Sequence, residues 1–254
     1  MPEVPWSLYD QLIENIPDTI TVRDCIVGVH WVAICSTGMG LAMTIIDSER
    51  STSYTGSIVG SSLKRIAALA KSWNNLEASI GVAAINSYYN SIDLIEHHWG
   101  PQTFTERNDN VFDEMLPDLA NKRVAVIGHF PGLEAVSSVA KLSIIERNPQ
   151  KGDFPDPSCE YILPLQDYVF ITGVTFTNKT LPRLLTLSKN AQCILVGPSV
   201  PLTPLLLSNG VSVLAGTVVL DELVVLKNIK EGGDRSIFKN GAKMIRFRKE
   251  SRAG

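Results

Sequence analysis

The strongest constraint on this chain begins at Lys122. In KRVAVIGHFP, residues 122–131, four apolar residues stand between a basic start and a glycine. That pattern is a short buried strand running into a tight turn. Short apolar segments then alternate with helical ones to the end of the chain. Strands are predicted at Val124–Ile127, Leu142–Ile145, Tyr168–Thr172, Cys193–Val196 and Val213–Ala215. Helices are predicted at Leu133–Ala140, Leu181–Ser188, Pro204–Ser208 and Asp221–Ile229. Such alternation specifies an α/β fold, a parallel sheet with helices on its faces. Ligands of these sheets sit at the carboxyl ends of the strands, near the point where strand order reverses. The loops after the first and third strands are the richest in polar residues. This fits a flavodoxin-like order with those two strands adjacent, and a split Rossmann order stays open.

The residues before this pattern follow different rules. Pro5–Asn15 is predicted as a helix, with Leu8, Leu12, Ile13 and Ile16 at helical spacing. Val22–Cys35 is predicted as one strand, Ser36–Gly40 as a turn and Leu41–Ile46 as a second strand. Together they make a hairpin with a glycine-rich tip. A loop over Thr52–Ser61 leads to Ser62 as N-cap of a helix over Leu63–Trp73. A second helix, Leu76–Tyr89, carries the small residues Gly81, Ala83 and Ala84, which let another backbone come close. Residues 91–110 are taken as a connector, and Asp109 or Asn110 as the cap of a helix over Val111–Ala120.

Charge divides the chain near the same place. Residues 1–120 hold 6 Lys and Arg against 15 Asp and Glu, and residues 121–254 hold 17 against 11. The helix at Val111 leads straight into the first parallel strand, so the expected domains are 1–110 and 111–254. With 44% hydrophobic and 19% charged residues the chain is globular rather than disordered.

Several functions have no support in the sequence. No run of 18 apolar residues occurs, so no membrane helix is expected, and the first residues lack the pattern of a signal peptide. A cytoplasmic protein is the default expectation. The one basic cluster, Lys243–Arg252, holds Phe247 as its only aromatic residue, which does not make a nucleic-acid surface. Cys25, Cys35, Cys159 and Cys193 form no CxxC pair and are expected to be reduced and buried. No GxSxG elbow and no P-loop is present. Oligomeric state is left open, with a homo-oligomer allowed.

Two chemistries remain at the strand ends. A dinucleotide site would use Gly128 and Gly132, with Glu146 placed to bind a ribose hydroxyl. Phe130 and Pro131 crowd that turn, and Pro131 lacks the N–H that a pyrophosphate cradle needs. A small nucleotide-like ligand fits better. A metal site would draw on His129, with Glu146 and Glu160 as oxygen donors, yet no HxxxH, HExxH or CxxC spacing supports one. His97 and His98 are adjacent and are expected to be an exposed or interface pair.

Certain segments together resemble a known family. They are GVAAIN at 81–86, VIGHFP at 126–131, ERNPQKGDFPDPSCEYILP at 146–164, ITGVTFTNKTL at 171–181, VGPSVPLTPLL at 196–206 and VSVLAGTVVLDE at 211–222. The family is the prokaryotic one described as "putative heavy-metal chelation". The resemblance implies a small α+β domain like the enolase N-terminal domain, followed by a Rossmann-like domain, with a ligand in the cleft between them. Carried over by motif, Asn86 comes from the small domain and Gly128, His129, Phe130 and Pro131 form the first turn. Glu146, Asp153 and Glu160 supply acidic groups. Thr172, Gly173, Asn178 and Thr180 line the third loop, and Gly197, Pro198 and Ser199 close the far wall. The implied ligand is a divalent or heavy metal, or a small-molecule metal chelate. The alternative is an enzyme acting on a small anionic or nucleotide-like metabolite, with Glu146 or Glu160 as general base.

Overall fold

The computed structural model describes residues 6–46, 52–101 and 110–249. Asp109, one of the two residues expected to cap the helix at Val111, and the part of the expected connector at 102–109 lie outside these residues. Two sheets organise the fold.

Helix α1 (Ser7–Glu14) turns Leu8, Tyr9, Leu12 and Ile13 inward, as its spacing requires. Strands β1 (Asp24–Val27), β2 (Trp31–Cys35) and β3 (Met39–Met43) form an antiparallel meander. The single strand expected over Val22–Cys35 is therefore two. The Gly28 N–H donates to Trp31 O at 2.9 Å and turns the chain back on itself. Continuous β propensity concealed this turn, which Gly28 permits: a Cβ there would lie 2.5 Å from Ile229 Cγ2.

Helix α2 (Leu63–Ala67) tightens into a 3₁₀ turn at Ala68–Lys71. Helix α3 (Asn75–Tyr89) opens with the Asn74 side chain accepting the Glu77 N–H at 3.0 Å. Twelve of its fifteen residues are buried, so it has no solvent face. Helix α4 (Ile92–Trp99) occupies the segment expected to be a connector. Ile92, Ile95 and Trp99 do fall at helical spacing, but the neighbouring charged and histidine residues hide the period.

The second sheet follows. Its elements are α5 (Val111–Leu119), β4 (Arg123–Ile127), α6 (Leu133–Val139), β5 (Lys141–Glu146), β6 (Phe154–Pro155) and α7 (Cys159–Ile162). Then come β7 (Tyr168–Thr172), α8 (Val174–Thr177), α9 (Leu181–Leu187), β8 (Gln192–Val196), α10 (Pro204–Ser208) and β9 (Val213–Val219). The last are α11 (Glu222–Lys230), α12 (Ile237–Asn240) and β10 (Ala242–Arg248). Strand order is β10-β9-β8-β7-β4-β5-β6, parallel except for β10. Setting aside the two-residue β6, the five expected strands run in the order two-one-three-four-five. That is the flavodoxin-like order, with the reversal between β4 and β7. β10 lies in the basic cluster and was not expected as a strand. Its buried Ala242, Ile245 and Phe247 are interspersed with exposed or half-buried Lys243, Arg246 and Arg248. No helix among the described residues is long and apolar enough to cross a membrane.

One core joins the two sheets. It runs from Leu12 and Tyr9 through Ala83 and Ile85 of α3 to Ile171, Phe176 and Leu195. The Tyr9 hydroxyl donates to Phe176 O at 2.8 Å, with the rings edge to face. Two glycines set how closely α3 can pack. A Cβ on Gly40 would lie 2.0 Å from Ser87 N, and one on Gly81 would lie 1.9 Å from Ala70 N. Neither obstacle is a movable side-chain end, so the backbones touch only because no side chain intervenes.

Gly40→Ala is therefore expected to cost about 3 kcal/mol or more, at or beyond the upper end of overpacking penalties. Gly60→Ala meets nothing within 4 Å but holds φ at +83°, so it should cost about 1–2 kcal/mol. Urea denaturation of the two variants checks the order, and equal losses would show that α3 does not pack this tightly.

Candidate functional site

Three turns at the carboxyl edge of the large sheet form one end of a cavity. After β4, Gly128 takes φ +103° and its N–H donates to Ile145 O at 3.0 Å. A Cβ on Gly128 would come 3.3 Å from Thr172, so the β4 and β7 turns lie against each other at the reversal point. After β7, Gly173 packs on the next turn, where a Cβ would meet Ser199 C at 2.8 Å. After β8, Gly197 takes φ +116° and its N–H donates to Ala215 O at 2.9 Å.

The remaining walls come from other elements. The Asn110 side chain caps α5 by accepting the Phe112 N–H at 3.2 Å, and its amide donates to Pro131 O at 3.2 Å. That one residue ties the start of α5 to the β4 turn. Trp31 and Met43 are direct partners in the small sheet and project from its far end. The Trp31 indole N–H donates to Asp234 O at 3.1 Å, and its ring meets Phe238 edge to face.

The cavity so enclosed has a volume of about 460 Å³. The turns contribute His129, Phe130, Pro131, Thr172, Gly173, Val174, Gly197, Pro198 and Ser199. Val196 and Ala215 come from β8 and β9, and Asn110, Val111 and Phe112 from the start of α5. Trp31, Met43, Asp234, Arg235, Phe238, Met244 and Arg246 complete the lining. The surface is mostly apolar and aromatic, with Arg235, Arg246, Asp234 and His129 as the groups that carry or can carry charge. Arg246 pairs with Glu114, whereas Arg235 has no ion-pair partner among the described residues.

Eight of the residues expected at the site line this cavity: His129, Phe130, Pro131, Thr172, Gly173, Gly197, Pro198 and Ser199. Gly128 supports it through backbone geometry. Asn86 lies behind the wall, fully buried, and its amide donates to Leu41 O at 2.8 Å and Pro198 O at 3.3 Å. Asn86 lies inside α3, whose C-cap is Asn90. Asp153 touches the cavity only through His129.

Four further expected residues, Glu146, Glu160, Asn178 and Thr180, are not among the lining groups. The Glu146 carboxylate accepts the Arg147 N–H at 2.8 Å and shapes the turn after β5. Glu160 is paired with Arg183 on the exposed side of α7. Asn178 accepts from the Thr180 N–H and hydroxyl, at 3.1 and 2.6 Å, ahead of α9. The glycine-rich tip at Ser36–Gly40 also points elsewhere. It docks on α3, where the Ser36 and Ser87 hydroxyls are 2.6 Å apart. Its opposite end, at Trp31 and Met43, is the one that reaches the cavity. Sequence reasoning missed those two residues, together with Asn110, Arg235, Phe238 and Arg246. Only the strand pairing of Trp31 with Met43 could have pointed to any of them.

The His129–Asp153 pair is the one acid–base contact at the cavity edge among the described residues. His129 Nε2 is 2.7 Å from Asp153 Oδ2, which also accepts the Gln150 N–H at 2.8 Å. Desolvation pushes the Asp153 carboxyl up. The hydrogen bonds from His129 and Gln150, with the His129 charge, outweigh it and hold the group below the ordinary Asp value.

The donors present do not suit a bare metal ion held by protein alone. Among the described residues no three His, Cys, Asp or Glu side chains come together. The four cysteines are free thiols. Burial pushes Cys35 up to about 12 and Cys25, Cys159 and Cys193 up to about 11, so none is a thiolate near neutral pH. His97 and His98 are exposed on α4 with ring centres 5.2 Å apart.

Comparison with known proteins adds the following. Residues 110–248 match the family model DUF364 and residues 9–89 match DUF4213, both described as "putative heavy-metal chelation". A crystal structure of a DUF364 protein of unknown function from Desulfitobacterium hafniense is 36% identical, with a TM-score of 0.88 over 96% of this chain and 98% of that one. A DUF364 protein from Pyrococcus horikoshii, 23% identical, shares the fold with a TM-score of 0.78, covering 97% of this chain and all of that one. An uncharacterized protein of Methanocaldococcus jannaschii is 28% identical over 214 residues, 81% of this chain and 79% of that one.

The Asp153 contact has a pH signature. A carboxyl whose folded pKa is depressed contributes stability above its unfolded value, about 3.9, and loses it as pH falls through the folded value. The stability gap between wild type and Asp153→Asn should therefore be constant above about pH 5 and narrow on acidification. Denaturant titrations from pH 6 down to pH 3 check this, and a gap independent of pH would refute the contact.

Proposed function

The chain belongs to the DUF364 family, described as "putative heavy-metal chelation", and from this we propose that it binds a metal–chelator complex in a cleft between its two domains, 1–110 and 111–254. The observation that carries the proposal is the mismatch between cavity and donors. A volume of about 460 Å³ suits a small organic molecule rather than an ion. Its walls offer Trp31, Phe130 and Phe238 for apolar contact and Arg235 for a carboxylate, but no set of three metal ligands among the described residues. A chelator brings most of the donors itself. The protein then has to recognise the shape and charge of the complex, which this lining can do. The sign of the second half of the chain agrees, since its Lys and Arg outnumber its Asp and Glu and favour an anionic complex.

A second reading rests on the His129–Asp153 pair. A histidine oriented by a carboxylate at a cavity edge is also a proton-transfer device, so an enzyme acting on a small anionic metabolite would use it. Glu146 and Glu160 do not serve this alternative, because their side chains are engaged outside the cavity.

A thermal-shift panel separates the readings. It compares Cu²⁺, Ni²⁺, Zn²⁺ and Co²⁺ as free ions, the same ions with citrate or iminodiacetate, the chelators alone, and adenylates. Binding to the native state stabilises by about 2.7 kcal/mol at a hundred times Kd, so a true ligand gives a concentration-dependent rise in Tm. The expected result is a rise with chelates above that with ions or chelators alone. A rise with adenylates and none with any chelate overturns the proposal.

A further inference from the structure

We propose that His129, through Nδ1, is the one protein donor to the metal of a chelate bound in the cavity. This rests on the reading of the cavity as a chelate site and adds the atom that meets the metal. His129 lines the cavity at the end of β4, and its Nε2 contacts Asp153 Oδ2 at 2.7 Å. The same oxygen accepts the Gln150 N–H at 2.8 Å. An ionised carboxylate only accepts, so Nε2 carries a proton, and in the neutral ring, the form that ligates a metal, Nδ1 holds the lone pair. Nδ1 makes no hydrogen bond among the described residues.

The support behind the ring is built into the chain. Asp153 N–H donates to Gln150 O at 3.0 Å and Gly152 takes φ +103°, which together turn the Asp153 side chain back toward β4. That side chain is 6% exposed, against 37% for His129. A carboxylate that fixes the tautomer and orientation of an accessible imidazole is how proteins prepare a histidine to ligate a metal.

One nitrogen cannot hold an ion alone, and no group of three His, Cys, Asp or Glu forms around it among the described residues. It can fill one open position on a metal whose other positions a chelator occupies. The ligand class is therefore a first-row transition ion in a carboxylate chelate that leaves a coordination position vacant, the ion being one that imidazole suits, such as copper or nickel. Arg235, also on the lining and without an ion-pair partner among the described residues, is available to a peripheral carboxylate of that chelate.

The test uses Cu²⁺–iminodiacetate, whose tridentate chelator leaves an equatorial position open. The other histidines are removed first, as His30→Gln, His97→Gln and His98→Gln, so that any imidazole signal belongs to His129. Calorimetric titration of this background should give one site, and electron paramagnetic resonance should show coupling to a single imidazole nitrogen. Adding His129→Gln should abolish the coupling and weaken binding at least about tenfold, and Asp153→Asn should weaken it by about ten- to a hundredfold. Circular dichroism and Tm of each variant confirm that it is folded. Undiminished binding or surviving nitrogen coupling in the His129→Gln protein overturns the assignment. If chelates raise Tm equally with and without His129, the donor assignment falls and the cavity reading stands. If no chelate raises Tm in either, both fall.

Discussion

The fold depends on how α3 is held between the two sheets. A helix with no solvent face must find partners within the protein for the polar side chains it buries. The Asn86 amide nitrogen reaches both sides at once, donating to Leu41 O of β3 and Pro198 O of the β8 turn, while its Oδ1 is buried without a hydrogen bond among the described residues. Asn90 donates to Val200 O and Thr217 O, each at 3.0 Å, and accepts the Leu202 N–H at 2.7 Å. The Met43 N–H donates to Ser199 Oγ at 3.0 Å, so β3 reaches the same turn directly. Residues 198–202 are thus pinned from α3 and β3 together. The cavity inherits its shape from that seam, since Pro198 and Ser199 are both pinned and cavity-lining. Gly40 and Gly81 are what allow the helix to come close enough to make these bonds.

The seam also explains why the site could be read only in part from the sequence. The β4, β7 and β8 turns were legible because strand-to-turn chemistry is local: an apolar run, then Gly128, Gly173 or Gly197. The polar residues that collect after the first and third strands suggested the flavodoxin-like order but left a split Rossmann order open, and the strand pairing decides it. Trp31, Met43, Arg235 and Arg246 reach the cavity through pairings across long sequence separations, which no local pattern records. Trp31 stands in an unbroken β-favouring run, and the turn at Gly28 inside that run was invisible for the same reason. Helix α4 and strand β10 were hidden by charged residues standing where a solvent-facing edge or face allows them.

The acidic residues make the opposite point. Glu146 and Glu160 sit at or beyond a strand end, where ligand groups are expected, and the right residue type is present at each. Each finds a nearer partner: backbone N–H groups for Glu146 and the Arg183 guanidinium for Glu160. A carboxylate already engaged by donors has less to offer a ligand. Asp153, from the same stretch, is different because its partner is His129, and His129 reaches the cavity. What sets Asp153 apart from Glu146 and Glu160 is therefore the second residue of the contact, which for Asp153 lines the cavity.

This arrangement bears on how a ligand would be met. The hydrogen bonds made by Asn86, Asn90 and Met43 are buried or half-buried, and each is worth about 1 kcal/mol net. Breaking them together would also leave several backbone carbonyls unpaired, at about 1–3 kcal/mol each. Opening the two sheets along α3 would therefore cost a large share of a domain's total stability. A hinge at that seam is an expensive way to admit a ligand. The exposed groups around the cavity, His129, Pro131, Asp234 and Arg235, belong to turns that the seam does not hold. On the proposed reading the pinned side is a pre-formed wall, and entry and recognition would fall to the side where the His129 imidazole stands with the Arg235 guanidinium, which has no ion-pair partner among the described residues.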